Sequence, residues 1–451
     1  MNKEMNKLGT EKIDKLLFKM SMPAVIGMMV NALYNVVDTI FIARGVGTDA
    51  IGGLAIAFPI QILIMAFGML FGTGAASIIS RALGEGNHDK ANSSAGNVLI
   101  ISGIVGILIA IPSMIFIEPI LQLFGATDNL LPYSKSYMEV ILLGAPLIIF
   151  LMGGNNIARA EGNAKVAMVS MVIGTGLNIV LDPIFIFIFN LGIRGAALAT
   201  IISQFVSVIY LLNYFIRGKS SLHFTKHALT LQPKIVVSIL SLGVPSFIRQ
   251  AGGSFVAVIL NNALGTYGGD IAISTFGVMN RLLMLGLMPL FGIAQGFQPI
   301  AGYNFGAKKM DRLWEVLKHS MVYATILCLI YSSILFFFPE FMLSIFSTDP
   351  ELISLGSYAM NYIIMFLPFI GIQVVGSTYF LAIGKIAPSF VLGLSRQVIL
   401  LLPLVLILPK FLGIQGIWLS FPIADGLALL LTVTWLVLDI IYLRKKELNK
   451  C

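Results

Sequence analysis

The sequence predicts an all-α integral membrane protein of 12 transmembrane helices arranged as two pseudo-symmetric six-helix bundles. Three observations carry that prediction. Of 451 residues, 57% are hydrophobic and only 11% are charged, where a soluble chain uses roughly 25% charged residues to cover its surface. Apolar runs near the ~20 residues that cross a bilayer recur from Met20 to Leu443. The two halves also resemble each other at a shift of about 221 residues, the mark of an internal repeat.

The opening stretch MNKEMNKLGTEKIDKLLFKM is polar and leads into a spanning helix, with no short apolar region and small-residue cleavage site. It reads as a lead-in and not as a signal peptide. Helices 1 to 6 are placed at 22–43, 52–80, 96–117, 136–158, 164–189 and 195–216, and helices 7 to 12 at 235–263, 271–298, 318–338, 355–380, 387–409 and 413–442. The odd-to-even connections hold only Arg44, Lys135, Arg194 and Lys410, whereas the even-to-odd connections and the termini carry most of the other basic residues. The positive-inside rule therefore predicts both termini in the cytoplasm, for a multi-pass protein of the plasma (inner) membrane. The formal charge of +8 is a topology signal answered by anionic membrane lipid, and it calls for no nucleic acid.

Four matched stretches carry the duplication. PAVIGMMVNALYN answers PSFIRQAGGSFVA, pairing Pro23 with Pro245. LFGTGAASIISRALGEGN answers LFGIAQGFQPIAGYNFGA, QLFGATDNLLPYSKSYMEV answers SIFSTDPELISLGSYAMNY, and NLGIRGAALA answers FLGIQGIWLS. The expected domains are an N-lobe (1–216), a cytoplasmic linker (217–234) and a C-lobe (235–451). Six helices per unit make the repeats parallel, related by an axis along the membrane normal. Two such lobes can expose a central cleft to each side in turn, which suits a transporter and which an enzyme does not need.

Ionisable groups in the bilayer core are expensive and usually functional. Here they are Asp38, Asp182, Arg249, Arg281, Arg396 and Asp425, with Asp439 near a cytoplasmic end. Counting helix rise places Asp38, Asp182 and Thr200 at one level in the outer half of the first bundle. Asn178 and Asp182 stand i,i+4 on one face, and Asn31 and Asn35 extend the polar stripe of Asp38. A carboxylate, an amide oxygen and a hydroxyl can hold Na+, or a proton can sit on a buried carboxylate. A static network joining helices 1, 5 and 6 is the competing reading, and two buried acids are a costly way to make one. In the C-lobe, Asp425 is expected either to pair with Arg281 and Arg396 or to bind cationic substrate, with Met284 and Met288 beside it as apolar lining.

Cys328 and Cys451 make neither a disulfide framework nor a metal cluster. No nucleotide-binding motif stands in a strand-turn-helix context, so no cofactor and no enzymatic activity are expected.

The motifs NALYNVVDTIFIARGVG, ISRALGEGNHDKA, ARAEGNAKVAM, GLNIVLDPIFIF with GIRGAALAT, and QGFQPIAGYNFGAKK, in that order along the whole chain, resemble the multidrug and toxic compound extrusion (MATE) family. The likeness is greatest to its DNA-damage-inducible branch and staphylococcal-type multidrug efflux pumps. The resemblance implies an antiporter that exports cationic amphipathic compounds in exchange for H+ or Na+, and the chain is expected to function as a monomer. It puts the family's helix 1 aspartate at Asp38 and its N-lobe cation site at Asn178, Asp182 and Thr200. Another branch carries a helix 7 glutamate where this chain has Gly253, so coupling is expected in the N-lobe. A flippase for lipid-linked sugars and an exporter of an endogenous metabolite are the alternatives.

Overall fold

The computed structural model describes residues 7–217 and 220–448; Gly218 and Lys219 of the expected linker lie outside them. The first bundle comprises α1 (Ile13–Gly45), α2 (Thr48–Gly84), α3 (His88–Ile115), α4 (Leu131–Leu143 continued by Ala145–Ala160), α5 (Ala164–Ile188) and α6 (Gly192–Ile216). In the second, α7 and α8 form one stretch, Pro233–Gly306, which turns back at Gly269 (φ 68°), a conformation that glycine reaches without a Cβ penalty. Then follow α9 (Met310–Phe337), α10 (Pro350–Ile363 continued by Leu367–Ala382), α11 (Ile386–Leu412) and α12 (Ile414–Leu448). With the two bent pairs each taken as one crossing and the α7–α8 stretch as two, these make the twelve spans of the predicted fold.

Helix α1 starts nine residues before the expected position 22. Ile13, Leu16, Leu17 and Met20 recur at helical spacing and are all buried, so the charged lead-in contains an amphipathic turn that packs rather than a free tail. Two helices are sharply bent. α4 turns by 54° and α10 by 50°, just before Pro146 and Pro368, which cannot donate to the preceding turn. Pro183 and Pro403 likewise flank π-helical turns, Ile184–Ile188 in α5 and Ser395–Leu401 in α11. The repeated prolines thus produce repeated distortions, and the pseudo-symmetry is visible in backbone geometry.

The lobes meet where α2 packs on α7 and α8 and where α1 packs on α8, on the face of the molecule that carries the basic residues. Glycines set the distance. A Cβ on Gly243 would lie 1.8 Å from the Leu70 carbonyl oxygen, one on Gly74 2.1 Å from that of Ile239, and one on Gly306 2.1 Å from that of Arg81. Gly292 and Gly296 take Val25 and Ser21 of α1 in the same way. The seam ends at mid-height with the Phe67 and Phe247 rings, 5.0 Å apart, and the Gln295 amide 3.4 Å from Met28 Sδ. Above this level the same faces of α1, α7 and α8 carry exposed side chains, among them Thr39, Val258, Met284 and Leu285. The molecule is therefore closed on its basic face and open on the far one.

Candidate ion and substrate site

On α1, Val25 faces α8 across the seam while Gly27 packs on Met171 of α5. Asp38 follows the latter face and is turned into the N-lobe, 5% exposed. Asp182, two residues before the π turn of α5, is fully buried, and its carboxyl group lies within hydrogen-bonding reach of that of Asp38. With its amide nitrogen directed at Asp182, Asn178 donates to Oδ2 at 2.9 Å, while its oxygen accepts from the Thr200 N–H at 3.0 Å and the Thr200 hydroxyl at 3.2 Å. Thr200 reaches the cluster because the π-helical turn of α5 and Gly192 (φ 56°) bring the start of α6 back beside α5. The structure thus gathers Asp38, Asn178, Asp182 and Thr200 from three helices. One oxygen of each carboxyl group, Oδ1 of Asp38 and Oδ1 of Asp182, is buried without a hydrogen-bond partner among the described residues. Orphaned buried acceptors are costly, and an ion between them removes the cost.

Sequence reasoning missed two members. The Tyr34 hydroxyl lies 3.4 Å from Thr200 Oγ1, and Tyr137 of α4, 2% exposed, stands within electrostatic reach of Tyr34, Asp38 and Asp182. Tyr34 is one turn before Asp38, so its spacing was a readable signal; Tyr137 offered none. Asn31 is half-buried on α1, and the side chain of Asn35 lies outside the described residues.

In the C-lobe the expected sharing of Asp425 between two arginines is only half realised. Arg396, on the π-helical turn of α11, donates to the Asp425 carboxylate through Nε at 2.6 Å and Nη2 at 3.4 Å, and Gln373 of α10 donates to the Asp425 carbonyl at 2.7 Å. Arg281 is exposed and has no acidic partner among the described residues, because eleven residues along α8 turn it back to the N-lobe-facing side rather than toward α12. Met284 is 47% exposed and Met288 is half-buried. A Cβ at Gly253, where a glutamate stands in another branch of the resembled family, would meet nothing within 4 Å.

A third cluster was not anticipated. Glu161, in the turn between α4 and α5, is 1% exposed. It accepts from the Tyr214 hydroxyl at 2.6 Å, the Ser220 hydroxyl at 2.8 Å and the Ser221 N–H at 2.6 Å. It ties the segment after α6 to the N-lobe. Burial pushes its carboxyl up to about 7, while the three donors pull the other way. Among the described residues, no group of His, Cys, Asp and Glu could hold a resident metal ion.

Comparison with known proteins agrees with this architecture. The MatE family profile matches residues 23–184 and 245–407, one segment in each lobe. The chain is 27% identical over 436 residues to the multidrug export protein MepA of Staphylococcus aureus, covering 96% of this chain and 95% of that one. It is also 27% identical over 414 residues to MepA of Staphylococcus haemolyticus, covering 92% and 91%. Among solved structures, an outward-facing multidrug resistance MATE transporter superposes with a TM-score of 0.92 at 28% identity over 99% of both chains. A transporter of the MOP superfamily from Pyrococcus furiosus does so with a TM-score of 0.92 at 28% identity, over 98% of this chain and 99% of that one. With both segments of the family profile matched, one in each half of a doubled twelve-helix fold, this chain belongs to the MATE family of membrane transporters.

Proposed function

We propose that this protein is a secondary active antiporter that exports cationic amphipathic compounds across the plasma membrane by alternating access, driven by H+ or Na+ taken up at Asp38, Asn178, Asp182 and Thr200. The basic face is then cytoplasmic, both termini lie inside, and the present conformation is open to the outside. One observation carries the reading: two buried carboxyl groups in mutual contact, each with an orphaned oxygen, within a lobe that borders a one-sided cleft. Two carboxylates at that distance repel unless a proton or a cation sits between them. Direct acid-to-acid contact favours the proton as the bound ion, with Na+ the alternative.

The Asn178 amide supplies a sensor for occupancy. Turned one way it offers a hydrogen to Asp182, as suits an unoccupied carboxylate. Turned the other way it offers an oxygen, as suits a bound cation. Tyr34 sits one turn below Asp38 on the same helix, so a change of charge at the acids bears directly on α1, which forms one wall of the cleft. Ion uptake at the outward-open stage favours substrate release. Ion release on the inside restores the anionic site and favours capture of the next cation. Reciprocity requires each ligand to weaken the other.

The test is ethidium efflux from proteoliposomes with proton and sodium gradients imposed separately, for wild type, D38N and D182N. Flux that follows one gradient and is lost in both variants is the expected result and names the ion. Flux that survives in both variants sinks the N-lobe site. Absence of flux under either gradient removes drug efflux and leaves a lipid or metabolite cargo.

A further inference from the structure

The arginines of the C-lobe give the cleft a second polarity. Within the spans of that lobe stand Arg249, Arg281 and Arg396 against Asp425, which is bound by Arg396. Arg249 is half-buried and Arg281 exposed, and neither has an acidic partner among the described residues. The N-lobe offers the opposite balance, with Asp38 and Asp182 in its core.

The direction of Arg281 follows from the helix that carries it. On α8, Gly292, Gly296, Gly302 and Gly306 all face the N-lobe, against Val25, Ser21, Ser80 and Arg81. At 3.6 residues per turn, position 281 falls in the middle of that same stripe, eleven residues and about 16 Å above Gly292. It therefore continues the interlobe face beyond the point where the seam ends, and it projects into the open cleft. The same rise along α1 from Val25, which meets Gly292, ends within a turn of Asp38. The guanidinium thus stands on the opposite wall at the level of the buried acids. Met284 and Leu285, 47% and 50% exposed, flank it on the same stripe. Asp270, the next acid along α8, is another eleven residues or about 16 Å away, too far to neutralise it. An unpaired guanidinium on a cleft wall with apolar neighbours is a receptor for an oxyanion attached to an apolar body.

We propose that Arg281 anchors the carboxylate or phosphate of a zwitterionic amphiphile, whose cationic end is drawn toward the acidic N-lobe and whose apolar body lies over Met284 and Leu285. The proposal rests on the transport reading and narrows its cargo: among cationic amphiphiles, those that also carry an anionic group are preferred.

A matched pair of dyes tests it, tetraethylrhodamine with its free carboxylate and the ethyl ester of the same dye. Binding of each to the purified full chain in detergent is followed by fluorescence polarisation, for wild type, R281Q and R281K. Wild type is expected to prefer the acid. The acid-to-ester affinity ratio should fall about tenfold in R281Q, the size of one charge-assisted hydrogen bond in a wet cleft, and should be partly retained in R281K. A ratio unchanged in R281Q, or equal affinity for the two dyes in wild type, overturns the proposal. Efflux of the ester from wild-type proteoliposomes is measured alongside. Ester efflux without acid preference leaves the transport reading standing and the anchor refuted, and absence of ester efflux and of binding to either dye overturns both. Dihexanoylphosphatidylcholine that displaces the acid only when Arg281 is present identifies a lipid headgroup as the source of the oxyanion. Failure to displace it, with the ratio still dependent on Arg281, identifies a soluble amphiphile.

Discussion

Where the N-lobe sets Asp38, Asn178, Asp182 and Thr200 together, the C-lobe has Leu260, Val398, Leu402 and Phe421. The correspondence follows from the repeated landmarks: Pro23 with Pro245, Pro183 with Pro403, and Gly192 with Gly413, the last two holding φ of 56° and 58°. Leu260 and Phe421 are buried, 3% and 8% exposed, so the counterpart of the ion site is packed with hydrocarbon. The C-lobe instead pairs Arg396 with Asp425 one to two turns nearer the basic face. The N-lobe positions that answer them are Gly176 and Gln204, and the Gln204 side-chain oxygen is buried without a partner among the described residues. The same backbone plan thus supports an open acid pair in one copy and a closed ion pair in the other. Geometry inherited by duplication fixes where a polar site can be built; the residue types decide whether it is left free to take an ion.

The largest expected effect tests that division. Asp38→Asn or Asp182→Asn should lower gradient-driven efflux by about 100-fold, the upper range of coupling between sites. Leu260→Ala should cost stability of about 2–4 kcal/mol through the cavity it leaves, with coupling to the ion gradient retained. Equal loss of coupling from both lobes in the liposome assay breaks the comparison. Next comes the closed pair. Asp425→Ala leaves Arg396 without its counter-charge, and about 3 kcal/mol of stability should be lost. The double variant R396M/D425L should recover most of it, read by thermal unfolding in detergent.

Glu161 gives a pH-dependent effect of similar size outside the spans. Its carboxyl is raised from an ordinary 4.5 to about 7, so between those values the folded chain holds a proton that the unfolded chain has lost. Its contribution is most favourable below pH 4.5 and declines as pH rises to about 7, by about 3 kcal/mol, with no further change above. Glu161→Gln should flatten that slope in melts between pH 4.5 and 8. The smallest expected effect contrasts two glycines of α7. Gly243→Ala must push α2 away and should lengthen spin-label distances across the basic-face seam. Gly253→Ala, in open space, should leave them unchanged and alter stability by no more than about 1 kcal/mol.

Much of this was legible in the sequence. Helix count, doubling and the shared level of Asp38, Asp182 and Thr200 all rest on periodicity and rise, which a bilayer enforces because every backbone group must be satisfied within a helix. The bends in α4 and α10 were signposted by Pro146 and Pro368, although proline marks a bend without giving its angle. Tertiary choices were not legible. Nothing local distinguishes Arg396, which reaches Asp425, from Arg281, which turns to the cleft; helix rotation relative to neighbours decides it. Glu161 read as an ordinary loop acid because its burial depends on Tyr214 and Ser220, more than fifty residues away. Tyr137 reaches the acids from a separate helix, α4, and no local pattern announces that approach.

The glycine seam on the basic face bears on how fast such a molecule can work. Its glycine contacts are backbone against backbone, at Leu70, Ile239, Arg81 and Tyr303. Polar side chains latch the same joint: Ser77 donates to the Leu381 carbonyl, the Gln298 amide to that of Thr73 at 3.3 Å, the Asn304 amide to that of Leu8 at 3.0 Å and the Arg312 guanidinium to that of Glu11 at 2.7 Å. The glycine contacts separate without rotamer searches or the withdrawal of knobs from holes, whereas each latch has to exchange its partner for water. Water entering at the edge of the joint therefore does two jobs at once, wetting the bared backbone and taking over the carbonyls that the latches release.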